Sequence, residues 1–193
     1  MPNQPTHLIL LTNDAQRVFE VERLVGTEFS VADCESLEEA RAMAAERTPD
    51  LLLADLQVTD GAILEFLESS GELCPFPVVV IGPPGDESPA DRVLEAGALE
   101  YVTASADELE RLPRIVRRSL REWDLRCRYR QAEGALRASE QRLRTIVDSE
   151  RECVKLLDAD CTLLDMNPAG LEMIAADSLD QVKGLNTLDL LDP

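Results

Sequence analysis

The sequence predicts an α/β protein, with a doubly wound, five-stranded parallel sheet followed by a long helix and a small α+β piece. Between His7 and about Leu120, five short apolar runs alternate with amphipathic stretches of about ten residues. Continuous apolar strands separated by helices indicate a parallel sheet covered on both faces. From residue 107 to 148 the chain has one proline and one glycine and is otherwise rich in Arg, Leu, Ala and Glu, the composition of a continuous helix. Charge divides the chain at similar places. Residues 1–110 hold 23 acids against 5 arginines, residues 111–144 hold 11 arginines against 4 acids, and residues 145–193 hold 11 acids against 3 basic residues, within a net charge of −19.

The strands are expected at "HLILLT" (7–12), "EFSVADC" (28–34), "DLLLAD" (50–55), "FPVVVIG" (76–82) and "LEYVTA" (99–104). Between them, "DAQRVFEVERLVG", "SLEEARAMAAER", "GAILEFLESS" and "SPADRVLEAG" place apolar residues near a 3.6 period, and two of them end in glycine. Ser36 followed by Glu39 has the spacing of a capping box. In the linker, heptads put Leu125, Tyr129, Ala132, Leu136, Leu143 and Ile146 on one seam, with Ser139 as a polar lapse, the pattern of a two-stranded parallel coiled coil. Pro113 should kink or delimit the preceding domain's last helix. Trp123 lies off the seam and is expected to pack against a neighbouring domain. Beyond the linker, "CVKLLDAD" and "CTLLDMN" read as a hairpin turning at Asp158 to Cys161, and Asn167-Pro168 punctuates the passage into a helix.

In an open parallel sheet, the site lies outside the carboxyl ends of the strands. Those ends carry Asn13 and Asp14, Asp55, Gly82 and Ala104. Two carboxylates from adjacent strands suit a hard cation such as Mg2+, which takes one or two carboxylates, a carbonyl and waters. The same residues also read as a helix cap at Asp14 and a loop acid at Asp55, and spacing leaves both readings open.

Composition narrows the classes. Five cysteines, odd in number and without a C-x-x-C pair, indicate neither a disulfide framework nor a zinc site, so a reduced, cytoplasmic protein is expected. Cys153 and Cys161 are expected on strands as buried, inert thiols. No apolar run reaches the roughly 20 residues of a membrane span, and "MPNQPTHLILL" lacks a basic n-region. Acidic ends argue against nucleic acid, which is bound largely through Lys and Arg. The arginines of the linker interleave with Glu122, Asp124, Glu133 and Glu140, as on a solvated helix face. The only histidine, His7, is not on the linker, which speaks against a histidine kinase.

"LILLTNDAQ", "PDLLLADLQVTDG", "FPVVVIG" and "EAGALEYVTA", in order over about residues 5–122, resemble the receiver domain of two-component response regulators. The resemblance implies a flavodoxin-like sheet of order 2-1-3-4-5. It matches Asp55 to the phosphoryl-accepting aspartate, Asp14 to one of the acidic pair that holds Mg2+, the Gln57 backbone carbonyl to a further metal ligand, and Tyr101 to the switch aromatic. It also implies a sensor histidine kinase or phosphotransfer protein as partner. The departures are Asn13 at the first acidic position, Gly82 where the family has Ser or Thr, and Ala104 where it has lysine. The first lysine in the chain is Lys155, and Arg92 is weighed as a replacement cation. A lost charged hydrogen bond costs roughly 1.5–3 kcal/mol and a lost hydroxyl bond about 1 more, so aspartyl phosphate formation is expected to slow by about 10² to 10³.

"LRTIVDS", "CVKLLDAD", "CTLLDMN", "NPAGLEMI" and "VKGLNTLDLLDP" look like the first half of a PAS domain, a piece expected to be frayed or completed by a dimer mate, and read as a shortened frame. The expected domains are thus a receiver over 1–122, a helical linker over 107–148 overlapping its last helix, and a PAS half over 139–193. The expected function is two-component signalling by a degenerate, homodimeric receiver-like module without enzymatic activity or a tightly bound organic cofactor. The alternatives are a regulator switched by phosphorylation of Asp55 and, less favoured, a flavodoxin-type redox protein, for which "TNDAQR" offers only Thr12 to a phosphate loop.

Overall fold

A computed structural model describes residues 5–58, 62–70 and 74–187. The last three residues of "ADLQVTDG" and residues 188–193 of the final PAS-like segment lie outside the described residues. The chain divides into two compact units, Met1–Arg128 and Tyr129–Pro193.

The first unit contains β1 (Thr6–Leu11), α1 (Ala15–Val25), β2 (Phe29–Cys34), α2 (Leu37–Glu46), β3 (Leu51–Asp55), α3 (Ala62–Ser70), β4 (Val78–Gly82), α4 (Ala90–Glu95), β5 (Glu100–Thr103) and the short α5 (Ala106–Leu109). The strands form one parallel sheet of order β2-β1-β3-β4-β5, as the resemblance implies. Alternating strand residues feed two cores. Leu8, Leu10, Leu51, Leu53, Val79, Ile81 and Val102 meet Val21 and Val25 of α1 and Leu112 and Val116 of the following helix. Ile9, Leu11, Leu52, Ala54, Val78 and Val80 meet α2, α3 and α4 through Ala40, Ile63, Leu67 and Val93. Burial on both faces explains why β1, β3 and β4 are apolar without alternation.

Caps fix where helices begin. The Asp14 carboxylate accepts the Gln16 N–H at 2.9 Å at the start of α1. Ser36 Oγ accepts the Glu39 N–H at 3.2 Å, while the Glu39 carboxylate accepts the Glu35 N–H at 3.0 Å, one residue ahead of a standard capping box. The long helix α6 spans Leu112–Ser149, so Pro113 stands in its first turn and delimits it rather than kinking it. Trp123 packs against the first unit's own core, not against a separate domain.

The second unit contains the rest of α6, an antiparallel hairpin of β6 (Lys155–Leu157) and β7 (Leu163–Met166), and α7 (Pro168–Met173). Asp158 organises the hairpin turn, its carboxylate accepting the N–H groups of Asp160 at 2.9 Å and Thr162 at 2.8 Å. Cys161 lies in this turn at φ 64°, and both Cys161 and Cys153 are off the strands and half-buried, which corrects the expectation of buried strand thiols. The buried thiols are Cys34 and Cys74 of the first unit. Burial, with Glu39 and Asp33 nearby, pushes the Cys34 thiol up to about 12, and burial raises that of Cys74.

Candidate functional site

At the carboxyl end of the sheet Asp55 is 5% exposed, although it terminates a strand. One carboxylate oxygen accepts the Gln57 N–H at 2.9 Å, and the other is approached by the Thr12 hydroxyl at 3.4 Å. Thr12 Oγ1 also accepts the Asp14 N–H at 3.3 Å, so β1 and β3 are joined through one hydroxyl. Asp14 is exposed, with one carboxylate oxygen engaged as the α1 cap, and Asn13 beside it is exposed. Among the described residues no group of three or more His, Cys, Asp or Glu side chains is arranged to hold a metal. Two carboxylates with an amide and a backbone carbonyl are still a donor set that Mg2+ accepts when water completes its shell.

The next two strand ends depart from a plain vacancy. A Cβ built on Gly82 would lie 1.7 Å from the Tyr101 hydroxyl oxygen and 2.2 Å from its Cζ. The Tyr101 ring therefore fills the space that a side chain at Gly82 would need. Its hydroxyl donates to the Asp86 carbonyl at 2.8 Å, which holds the ring there. Burial, with Asp86, Glu108 and Glu87 adding negative potential, holds the Tyr101 phenol above its ordinary range. On β5 the Thr103 N–H and hydroxyl both donate to the Glu108 carboxylate, at 2.6 and 2.8 Å. Ala104, half-buried, packs on the core that contains Val102, Leu112 and Val116.

Arg92 is exposed on α4, whose buried residue is Val93. Arg17 of α1, which an amphipathic pattern places at the surface, is half-buried, and its guanidinium Nε and Nη1 are buried without a hydrogen-bond partner among the described residues.

Compared with known proteins, the chain is 32% identical over 97 residues to the KDP operon transcriptional regulatory protein KdpE of Escherichia coli, covering 49% of this chain and 43% of that one. Among solved structures it resembles NtrX from Brucella abortus in complex with ATP, with a TM-score of 0.57, 18% identity, and coverage of 67% of this chain and 29% of that one. It also resembles HP1043, an orphan response regulator of H. pylori, with a TM-score of 0.53, 19% identity, and coverage of 62% of this chain and 99% of that one. The first unit has the fold of these response-regulator receivers. No family model matches the chain, and it spans less than half the length of the curated relative it matches. Within this unit Thr12 links the Asp55 carboxylate to the Asp14 N–H while the Asp14 carboxylate caps α1, whereas Gly82 and Tyr101 form a separate interlocked pair.

In the second unit Asn167 is 1% exposed and satisfies six hydrogen bonds from its side chain and N–H. Its Oδ1 accepts from the N–H groups of Val154 and Gly170, at 2.9 and 3.0 Å. Its Nδ2 donates to the carbonyls of Val147, Glu150 and Glu152, at 3.1, 3.3 and 2.9 Å. Asn167 thereby caps α7, with Pro168 in the first turn, and closes the end of α6 onto the hairpin. Leu143, Val147, Val154, Leu156 and Met166 line a groove of about 1070 Å³ in this unit. The seam residues expected for a coiled coil are exposed, Leu125 at 68% and Leu136 at 59%. Arg126–Glu122, Arg128–Asp124 and Arg137–Glu133 pair one turn apart along the same helix. Among the described residues no helix is long and apolar enough to cross a membrane.

Proposed function

We propose that the chain is a two-component signalling module whose receiver acts chiefly as a fixed docking and dimerisation domain, coupled through α6 to a PAS-type sensory piece. The observation that carries this reading is the interlock of Tyr101 over Gly82. A receiver that switches by drawing an aromatic inward needs two positions for that ring and a side chain to draw it. Here the inward space is already filled, and Gly82 presents no hydroxyl. The apolar seam Leu125, Tyr129, Ala132, Leu136, Leu143 and Ile146 supports a parallel homodimer, since exposed heptad positions gain burial only against a second helix. The hairpin, the Asn167-Pro168 cap and α7 support the PAS reading. The excess of acid in both ends supports protein partners, a sensor kinase or phosphotransfer protein among them, over nucleic acid.

A second reading, a response regulator phosphorylated at Asp55, is favoured by the burial of that carboxylate at the strand end. In that reading an Asp55 oxygen attacks the phosphorus of an acyl phosphate or phosphohistidine, and the bond from phosphorus to the donor breaks with its electron pair leaving on the donor. Mg2+ would be held by Asp14, Asp55 and the Gln57 carbonyl, with Asn13 beside them, and would neutralise charge on the transferring group. One experiment separates the two readings. The protein is incubated with Mg2+ and acetyl phosphate, and its intact mass and Tyr101 ring resonances are followed beside Asp55→Asn. The docking reading expects the Tyr101 resonances to stay put whether or not mass is gained. A phosphoryl gain that moves them, absent in Asp55→Asn, would establish the switch.

A further inference from the structure

The geometry points to Arg17 as the cation of an oxyanion site at the carboxyl end of the sheet, one that accepts a phosphoryl-type group beside Asp55. This rests on the reading of Asp55 as the residue that meets a phosphoryl group. Arg17 precedes Val21 by four residues and Val25 by eight, so it continues the stripe by which α1 packs on the sheet. Because α1 begins just beyond the carboxyl end of β1, the Arg17 end of that stripe is the end nearest the strand termini. Strand alternation puts Thr12 and Asp55 on the same face, two residues beyond Leu10 and Leu53 of the core that Val21 and Val25 join, and Ala104 packs on that core as well. The Thr12 to Asp55 contact joins the first two of these side chains directly.

Onto this face Arg17 brings a guanidinium whose Nε and Nη1 are buried and donate to nothing among the described residues. Buried donors on a charged group are costly unless they meet an acceptor, and a guanidinium fork matches tetrahedral oxyanions by charge and shape. The arginines elsewhere that carry ion pairs, such as Arg117 with Glu28 and Arg126 with Glu122, have found carboxylates at the surface. Arg17 is held toward the sheet without one. The site thus has a buried carboxylate, a hydroxyl at Thr12 and a half-buried guanidinium arriving from a helix rather than from a strand end. The ligand class is a tetrahedral phosphoryl oxyanion, carried on Asp55 or free as inorganic phosphate.

The test uses the full chain with Mg2+ and two probes, fluoroberyllate, which mimics a phosphoryl group on a carboxylate, and inorganic phosphate. Binding is read by 19F resonance for the first and by titration calorimetry for the second, in wild type, Arg17→Met, Arg17→Lys and Asp55→Asn, with circular dichroism confirming the fold of each. Wild type is expected to bind fluoroberyllate, Arg17→Met to weaken it about tenfold or more, and Arg17→Lys to recover part of the loss. Loss of fluoroberyllate in Asp55→Asn without phosphate binding identifies the group carried on Asp55. Phosphate binding that survives Asp55→Asn but not Arg17→Met identifies the free ion. Equal binding by wild type and Arg17→Met, or by wild type and Arg17→Gln if Arg17→Met does not fold, would overturn the role of Arg17 and leave Asp55 standing. No binding of either probe by wild type would overturn both.

Discussion

At Gly82 and Tyr101, two departures that look independent in the sequence are one steric arrangement. β4 and β5 are neighbouring strands, with Gly82 opposite Thr103 and Tyr101 opposite Val80, and the Tyr101 ring reaches over to Gly82. Any side chain at position 82 must displace the ring. Gly82→Ser should therefore expel Tyr101 from the Asp86 carbonyl and destabilise the first unit by about 1–3 kcal/mol, while the double variant Gly82→Ser/Tyr101→Ala should recover much of that cost, as a double-mutant cycle of melting free energies would show. The Tyr101 phenol gives a second reading of the same contact. Its proton is held more tightly in the folded state than in the unfolded chain, so the stability it contributes is complete below the ordinary tyrosine range near 10 and is lost as pH rises through the higher folded value. Alkaline denaturation should therefore begin at lower pH in wild type than in Tyr101→Phe, monitored by far-ultraviolet circular dichroism.

At the scale of elements, Asn167 shows how one residue can hold an element junction. Its side chain serves α6, the hairpin and α7 at once, and deleting it leaves buried donors and acceptors unsatisfied. Asn167→Ala should cost the second unit about 3 kcal/mol, measured by urea unfolding, whereas Pro168→Ala should cost much less, since proline there contributes only pre-set backbone geometry. The five strands were legible because β1, β3 and β4 are unbroken apolar runs and the helices between them carry caps. The Asn167-Pro168 boundary was legible as punctuation, but not the five side-chain bonds, because their partners include the carbonyls of Val147, Glu150 and Glu152 and the N–H of Val154, which no local pattern singles out. Arg17 was illegible for a related reason. An arginine on an amphipathic helix reads as solvent-facing, and only the register of Val21 and Val25 against the sheet turns it inward. The filled space over Gly82 was also hidden, since sequence gives the missing hydroxyl but not what occupies its place. The α6 seam should matter through association. Leu136→Glu with Leu143→Glu should convert a dimer to a monomer by sedimentation while leaving the first unit's melting unchanged, because both residues are exposed in the single chain.

At the scale of the whole molecule, the division into two units makes stability separable. The first unit has two cores of its own, on either face of its sheet, while the second unit rests on the small cluster of Leu163, Met166 and Val182. Stability follows buried apolar area, so the second unit should open first on heating, and units with separate cores need not melt together. The chain's single tryptophan, Trp123, packs on the first unit's core and therefore reports only that unit, whereas far-ultraviolet circular dichroism reports both. Two transitions are expected by dichroism, with only the later one seen in Trp123 fluorescence. Asn167→Ala should lower the earlier transition and leave the fluorescence midpoint in place. If instead the two probes melt together and Asn167→Ala shifts both, the shared helix α6 binds the units into one cooperative structure, and a signal could pass between them through stability as well as through the helix seam.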